Sequence, residues 1–371
     1  MLSKKLLLAI SISLLITNLF AQNLTIVPDG GNKKASVSER IGISDVTIRY
    51  DRPAVKGREG KIWGQLVHYG FKDLGFGTSK AAPWRAGANE NTTFTFSTDV
   101  MIEGKPLKAG TYGFFIAMGE TDATLIFNNN STSWGSFFYD DKEDALRVTV
   151  KTVALIESVE RLKYEFMDEK ENSAVVSLIW EKMKIPFRIE VDYIKTQLES
   201  FRRELRSNIG FEHIPWVEAA NFCVEHNVNL EEALTWADYA ISGVFVGQKN
   251  FKTYSAKASV LSKLGRNAEA DTIMKLAMPL STMSELHVYG RELLRQKKPR
   301  EALEAFKLNG QRNPNVFTTN MGLMRGYSAN GDYKNALKYA KAAQLQAPDK
   351  GNKDALEKFI PMLEAGKDIN Q

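Results

Sequence analysis

Cysteine is almost missing from this chain: 371 residues contain one, Cys223. A single thiol excludes an internal disulfide, so stability must come from burial of an ordinary core. It also excludes a lipid-modified cysteine at the start of a mature chain, and with it a lipoprotein. Cys223 stands between Phe222 and Val224 in a helical pattern and reads as a buried, inert thiol. Histidine is scarce too. His68, His213, His226 and His287 lack ligand spacing, and there is no His-Glu-x-x-His, no paired Cys-x-x-Cys and no aspartate-rich calcium loop, so neither a metal site nor a cofactor is expected. No Gly-x-Ser-x-Gly elbow or phosphate-binding Gly-Lys-Ser/Thr loop is present, and Gly75-Phe76-Gly77 lacks the third glycine of a nucleotide loop. A formal charge of +5 is too small and too scattered for a nucleic-acid surface.

The hydrophobic run near the start is too short for a comfortable membrane span. Lys4 and Lys5, the apolar stretch from Leu6 to Ile16 and Leu19-Phe20-Ala21 before Gln22 have the form of a secretory leader. Residues 1–21 are therefore expected to be removed, leaving an exported protein, periplasmic or secreted, with a flexible start over 22–34.

Period-two alternation dominates from Val46. Val46-Thr47-Ile48-Arg49-Tyr50 places apolar groups on one face, and Phe94/Phe96, Leu146/Val148/Val150, Leu162/Tyr164/Phe166 and Phe187/Ile189/Val191 repeat the pattern. The stretch from Ala174 to Trp180 is apolar on nearly both faces and reads as a central strand. Glu103-Gly104-Lys105-Pro106 is a hairpin turn between Val100-Met101-Ile102 and the strand from Thr111 to Met118, and Asp168 to Asn172 is another turn. Many half-buried strands without interleaved helices predict an antiparallel β-sandwich, with a jelly roll or open barrel as the alternative.

Pro83-Trp84-Arg85-Ala86-Gly87-Ala88-Asn89-Glu90-Asn91 feeds the strand at Phe94 and concentrates polar groups at one sheet end. Arg85 is expected to pair with Glu90 or Asp51, with Arg52, Lys56 and Arg58 on a loop that can approach it; this is either a site for an anion or sugar or an internal tie of the fold. Trp84 and Trp134 are candidate stacking platforms as well as packing groups. His68 is the single histidine of this half and reads as packed or solvent-facing rather than as a base. The candidate binding residues are thus Asp51, Arg52, His68, Trp84, Arg85, Asn89, Glu90 and Trp134, with no catalytic residue assigned.

Tyr50-Asp51-Arg52-Pro53, Val55-Lys56-Gly57-Arg58, Gln65-Leu66-Val67-His68-Tyr69-Gly70, Trp84 to Glu90, Gly104-Lys105-Pro106-Leu107, Ala109-Gly110-Thr111-Tyr112 and Trp134-Gly135 occur in that order. Together they resemble the DUF2911 family, exported bacterial proteins without an established activity, over about residues 35–192. The resemblance implies no catalytic residue.

After Asp192 the period changes. Ile194, Leu198, Phe201 and Leu205 share one helix face, and a connecting amphipathic helix is expected over 193–210. Asn229 and Glu232 have capping-box spacing. Turns at 228, 265, 297 and 331 stand 37, 32 and 34 residues apart, with Ala233/Ala240, Ala270/Ala277, Ala302 and Ala336/Ala343 at matching offsets. Asn309 replaces one small residue, and Phe245 and Thr282 stand where Pro314 and Pro348 end other units. This is similar to the tetratricopeptide pattern of ~34 residues. It implies three to four divergent repeats over 211–365, a tail over 366–371, and a wall for a protein or peptide partner, with Tyr254, Tyr289, Arg291, Arg325 and Tyr327 as candidate surface groups. The sequence reading is therefore an exported binding or scaffold protein, with an enzyme or carbohydrate-binding protein using Arg85, Asn89 and Glu90 as the alternative.

Overall fold

A computed structural model describes residues 31–370. The leader expected over 1–21 lies outside the described residues. Two compact units divide between Gln197 and Leu198.

The first unit contains ten strands: β1 (Lys33–Ile41), β2 (Ser44–Arg52), β3 (Thr92–Phe96), β4 (Val100–Ile102), β5 (Lys105–Leu107), β6 (Gly110–Met118), β7 (Asp122–Asn128), β8 (Asp144–Lys151), β9 (Val153–Lys170) and β10 (Ser173–Glu190). They form two sheets of order β1-β2-β3-β6-β7-β8 and β5-β4-β10-β9, with antiparallel pairing throughout. Alternation sets the faces. Val46, Ile48 and Tyr50 point into the core while Thr47 and Arg49 point away. The sheets share one core: Phe187 on β10 lies 5.8 Å from Phe94, 5.9 Å from Phe114 and 6.3 Å from Phe127, all on the facing sheet. This is the sandwich, with two distinct sheets rather than a closed barrel.

Two details differ from the sequence reading. The turn at Glu103-Gly104, both with φ near +50 to +75°, leads first to the short strand β5 and stays within the four-stranded sheet, whereas β6 belongs to the other. The apolar runs 174–180 and 187–191 belong largely to one strand, β10, whose pairing with β9 shifts register at Glu181, a left-handed residue with φ 50°.

The second unit begins within α1 (Tyr193–Glu204), which runs across the division. It consists of antiparallel pairs α2 (His213–His226) with α3 (Leu230–Ser242), α4 (Phe251–Lys263) with α5 (Asn267–Ala277), α6 (Met283–Arg295) with α7 (Pro299–Arg312), and α8 (Phe317–Ala329) with α9 (Tyr333–Gln346), followed by α10 (Lys350–Glu364). Small residues sit at the crossings: Ala233, Ala240, Ala277, Ala302, Ala336 and Ala343 are fully buried. Phe306 fills the space left by three glycines, since a Cβ on Gly290, Gly322 or Gly326 would stand 2.4, 2.6 and 2.8 Å from its ring. Asn309, in place of a small residue, is tolerated because its amide donates to the Met283 carbonyl at 2.8 Å and its oxygen accepts from Asn313 at 3.0 Å. Residues after α10 are also tied in: Ile369 is buried and the Asp368 carboxylate accepts from Ser328 at 2.8 Å.

The capping box expected at Asn229 and Glu232 does not form. Asn229 adopts a left-handed conformation and caps no backbone N–H; its side-chain amide donates instead to the Glu232 carboxylate at 3.1 Å, which also accepts from Arg202 at 2.8 and 2.6 Å. Boxes form instead at Asn250/Thr253 and Thr282/Glu285, so Thr282 starts a helix where a proline would have ended one. Cys223 is buried, and desolvation pushes its thiol up to about 11, which keeps it protonated and inert.

Phe306→Ala is expected to destabilise the helical unit by about 3–5 kcal/mol, because three neighbouring glycines leave nothing to collapse into the cavity. Urea unfolding followed by helical circular dichroism measures it; a loss below about 1 kcal/mol would contradict this packing.

Candidate functional site

The long connection between β2 and β3 closes one end of the sandwich. It is anchored by paired backbone contacts, among them Trp84 with Ile116 and Ala54 with Arg161. Within it, the Ala86 carbonyl accepts from the Tyr164 hydroxyl at 2.8 Å and the Thr92 hydroxyl at 3.1 Å. Ala86 and Asn89 both have positive φ, and a Cβ on Gly87 would stand 2.7 Å from Thr92 Oγ1. The small residues of this loop are therefore there to let it double back on β3.

Arg85 does not pair with Glu90 or Asp51. Its Nη1 donates to the Asn89 carbonyl at 2.8 Å and its guanidinium lies 4.9 Å from the Phe137 ring centre. Burial pulls its pKa down, and no ion pair to a carboxylate is formed among the described residues. Gly135, with φ +61°, lies under the guanidinium: a Cβ there would come 2.4 Å from Arg85 Cζ. Glu90 instead meets Lys34 at 2.6 Å on the surface, which pushes the Lys34 ammonium up. The expected pairing fails because the loop turns at Asn89, leaving Glu90 facing β1.

The eight candidates do not form one site. Trp84, Arg85 and His68 line a cavity of about 410 Å³ with Lys56, Arg58 and Trp180. Asp51 and Glu90 line a different cleft with Lys34 and Arg49. Asn89 touches the first group through its carbonyl and accepts from Asn32 with its side chain at 3.3 Å. Arg52 donates to the Leu162 carbonyl at 2.8 Å and ties β2 to β9. Trp134 is 55% exposed and lines neither space, so it is no platform there. Trp84, by contrast, is 8% exposed and stacks on Trp180 at 6.1 Å, with Trp63 edge-on to both at 5.7 and 5.8 Å.

The wall of three indoles is held by a residue the sequence reading passed over. Glu181, buried at the β10 bulge, accepts from Gly60 N at 3.2 Å, Trp63 Nε1 at 3.2 Å and Lys182 N at 2.7 Å. Its signal was present as a carboxylate directly after an apolar strand run. Ser136, a buried hydroxyl of the cavity, had none.

On the helical unit, His287 and Arg291 lie one turn apart on α6, and Arg325 on α8 sits 5.3 Å from the Phe359 ring centre. Burial and then the neighbouring Arg291 pull the Arg325 guanidinium down; burial, then Arg291 and Arg325, pull His287 down. His287 Nδ1 has no hydrogen-bond partner, and neither arginine has an ion pair among the described residues. Tyr254, Tyr289 and Tyr327 are half-buried.

Two outcomes follow from this geometry. Glu181→Ala leaves three donors without their acceptor and is expected to lower stability by about 2–4 kcal/mol, read by denaturant unfolding, with an altered tryptophan fluorescence maximum. Asp51 carries a buried oxygen without a partner, and desolvation raises its carboxyl pKa, partly opposed by Lys34. The folded state thus holds this proton more tightly than the unfolded chain, so the group favours folding below the ordinary value of ~3.9 and loses that contribution as pH rises through its raised value. Stability of Asp51→Asn measured against pH should lack that decline just above pH ~4; a curve parallel to the parent's would contradict it.

No curated protein matches the chain. The helical region is similar to two solved structures. One is the TPR protein YrrB, described as having an unusual peptide-binding site, at 19% identity and TM-score 0.29, covering 46% of this chain and 88% of that one. The other is a tetratricopeptide repeat protein from Parabacteroides merdae at 15% identity and TM-score 0.31, covering 47% and 70%. Residues 32–189, which make up the β-sandwich almost entirely, match the family described as protein of unknown function, DUF2911.

Proposed function

We propose that this chain is an exported binding protein whose helical pairs engage a protein or peptide partner carrying acidic groups. The observation that carries the reading is the His287, Arg291 and Arg325 cluster: two guanidinium groups and an imidazole from successive first helices, without a carboxylate paired to either arginine. Arg325 is half-buried and Arg291 exposed beside it; like charges so placed repel one another, and an incoming carboxylate relieves that repulsion. Stacked helix pairs give an extended wall on which a chain of residues can lie. Export is supported by the leader-like composition of residues 1–21.

Fluorescence anisotropy with a labelled glutamate-rich dodecapeptide and the mature chain tests this. Saturable binding is expected, weakening as salt rises and at least tenfold weaker in both Arg291→Gln and Arg325→Gln. Binding that is unchanged in both variants, or no binding at all, would remove the basis for this reading.

A further inference from the structure

The cavity in the β-sandwich is chemically independent of the helical cluster, and its two halves differ. One half is cationic. Arg85 is held by the Asn89 carbonyl and the Phe137 ring, so its remaining N–H groups have no acceptor among the described residues. Arg58 donates through Nε to the Val55 carbonyl at 2.9 Å and through Nη2 to the Ala54 carbonyl at 2.7 Å, which orients its plane without neutralising it. Lys56, exposed beside it, makes no ion pair among the described residues. Ser136, a residue 2% exposed, also lines this cavity.

The other half is apolar, formed by the Trp84 and Trp180 rings with Leu66, Val67 and Leu74. Trp180 Nε1 and His68 Nδ1 are both buried without hydrogen-bond partners. No carboxylate lines the cavity among the described residues. A fold that needed this region only for its own stability would gain by pairing Arg85 with Glu90, six residues from Trp84 in the same loop, yet Glu90 is turned outward to Lys34. Cationic side chains around an enclosed space are ordinarily matched by a carboxylate, so Arg85, Arg58 and Lys56 without one mark where an outside anion goes.

We infer that this cavity is a binding site for a small organic anion: a carboxylate or phosphoryl group placed between Arg85, Arg58 and Lys56, and a flat apolar body laid against the Trp84–Trp180 wall. Its volume of about 410 Å³ falls within the range of ~300–1,000 Å³ usual for small-molecule sites. Arginine supplies the fixed fork and the lysine a mobile charge at the mouth. A charge laid against indole carbon would go unsatisfied, so the anionic group is assigned to the cations and the flat body to the indoles.

Isothermal titration of the full mature chain with benzoate, phenylphosphonate and benzyl alcohol tests the inference, with tryptophan fluorescence as a local reading. At least one of the two anions is expected to bind saturably and to quench tryptophan emission, while benzyl alcohol, with the same ring and no charge, binds at least tenfold more weakly. Preference between benzoate and phenylphosphonate separates a carboxylate from a phosphoryl ligand. Arg85→Gln should weaken binding at least tenfold. Because that change also removes the Asn89 tie, Lys56→Gln, on an exposed side chain, provides a second test with an expected threefold or greater loss. Arg325→Gln, in the other unit, should leave this binding unchanged, which separates failure here from failure of the acidic-peptide reading. Equal binding of benzyl alcohol, binding indifferent to both Arg85→Gln and Lys56→Gln, or no saturable binding of either anion would overturn the inference.

Discussion

One buried carboxylate organises the end of the β-sandwich where the cavity lies. Glu181 interrupts a long strand at a left-handed bulge and accepts three N–H groups, two from the β2–β3 connection and one from its own successor. Removing a charge from water is costly unless its oxygens are filled, and here the filling is done by the loop that must be held. Through Trp63 the constraint passes to Trp84 and Trp180, so strand irregularity, loop position and cavity wall are one connected arrangement.

Charge is handled in opposite ways at different places in the molecule. Arg202 and Glu232 satisfy each other with two short hydrogen bonds, as a structural tie should. Arg85 and Arg325 are also partly buried, yet each rests on an aromatic face and lacks an anionic partner. Aromatic contact offsets some of the lost hydration but does not cancel the charge. Holding a guanidinium in this way is a cost to the free protein that the rest of the fold must offset.

How much could be read beforehand depended on the range of the interaction involved. Strand faces were legible at Val46, Ile48, Phe94 and Phe96 because alternation is a local consequence of the pleat, and the alanine spacing of the helical half because helix crossings demand small residues at fixed intervals. The prediction for Arg85 was wrong because pairing depends on where Asn89 turns the chain. Asn229 and Glu232 have the right spacing for a box and do not form one, since Asn229 takes a left-handed backbone rather than the extended one of an N-cap, and Glu232 is shared with Arg202, 30 residues earlier in the chain. Trp134 and Trp84 looked alike as candidates, and only their burial separates them.

The two kinds of periodicity, the lone inert thiol and the stock of cations and indoles were legible in the order of residues, because each is set by neighbours a few positions away. Tertiary structure alone decided which of those groups meet. The register shift at Glu181, the outward turn of Glu90 and the glycine beneath Arg85 set distances between segments remote in the chain, and no local pattern carries that information.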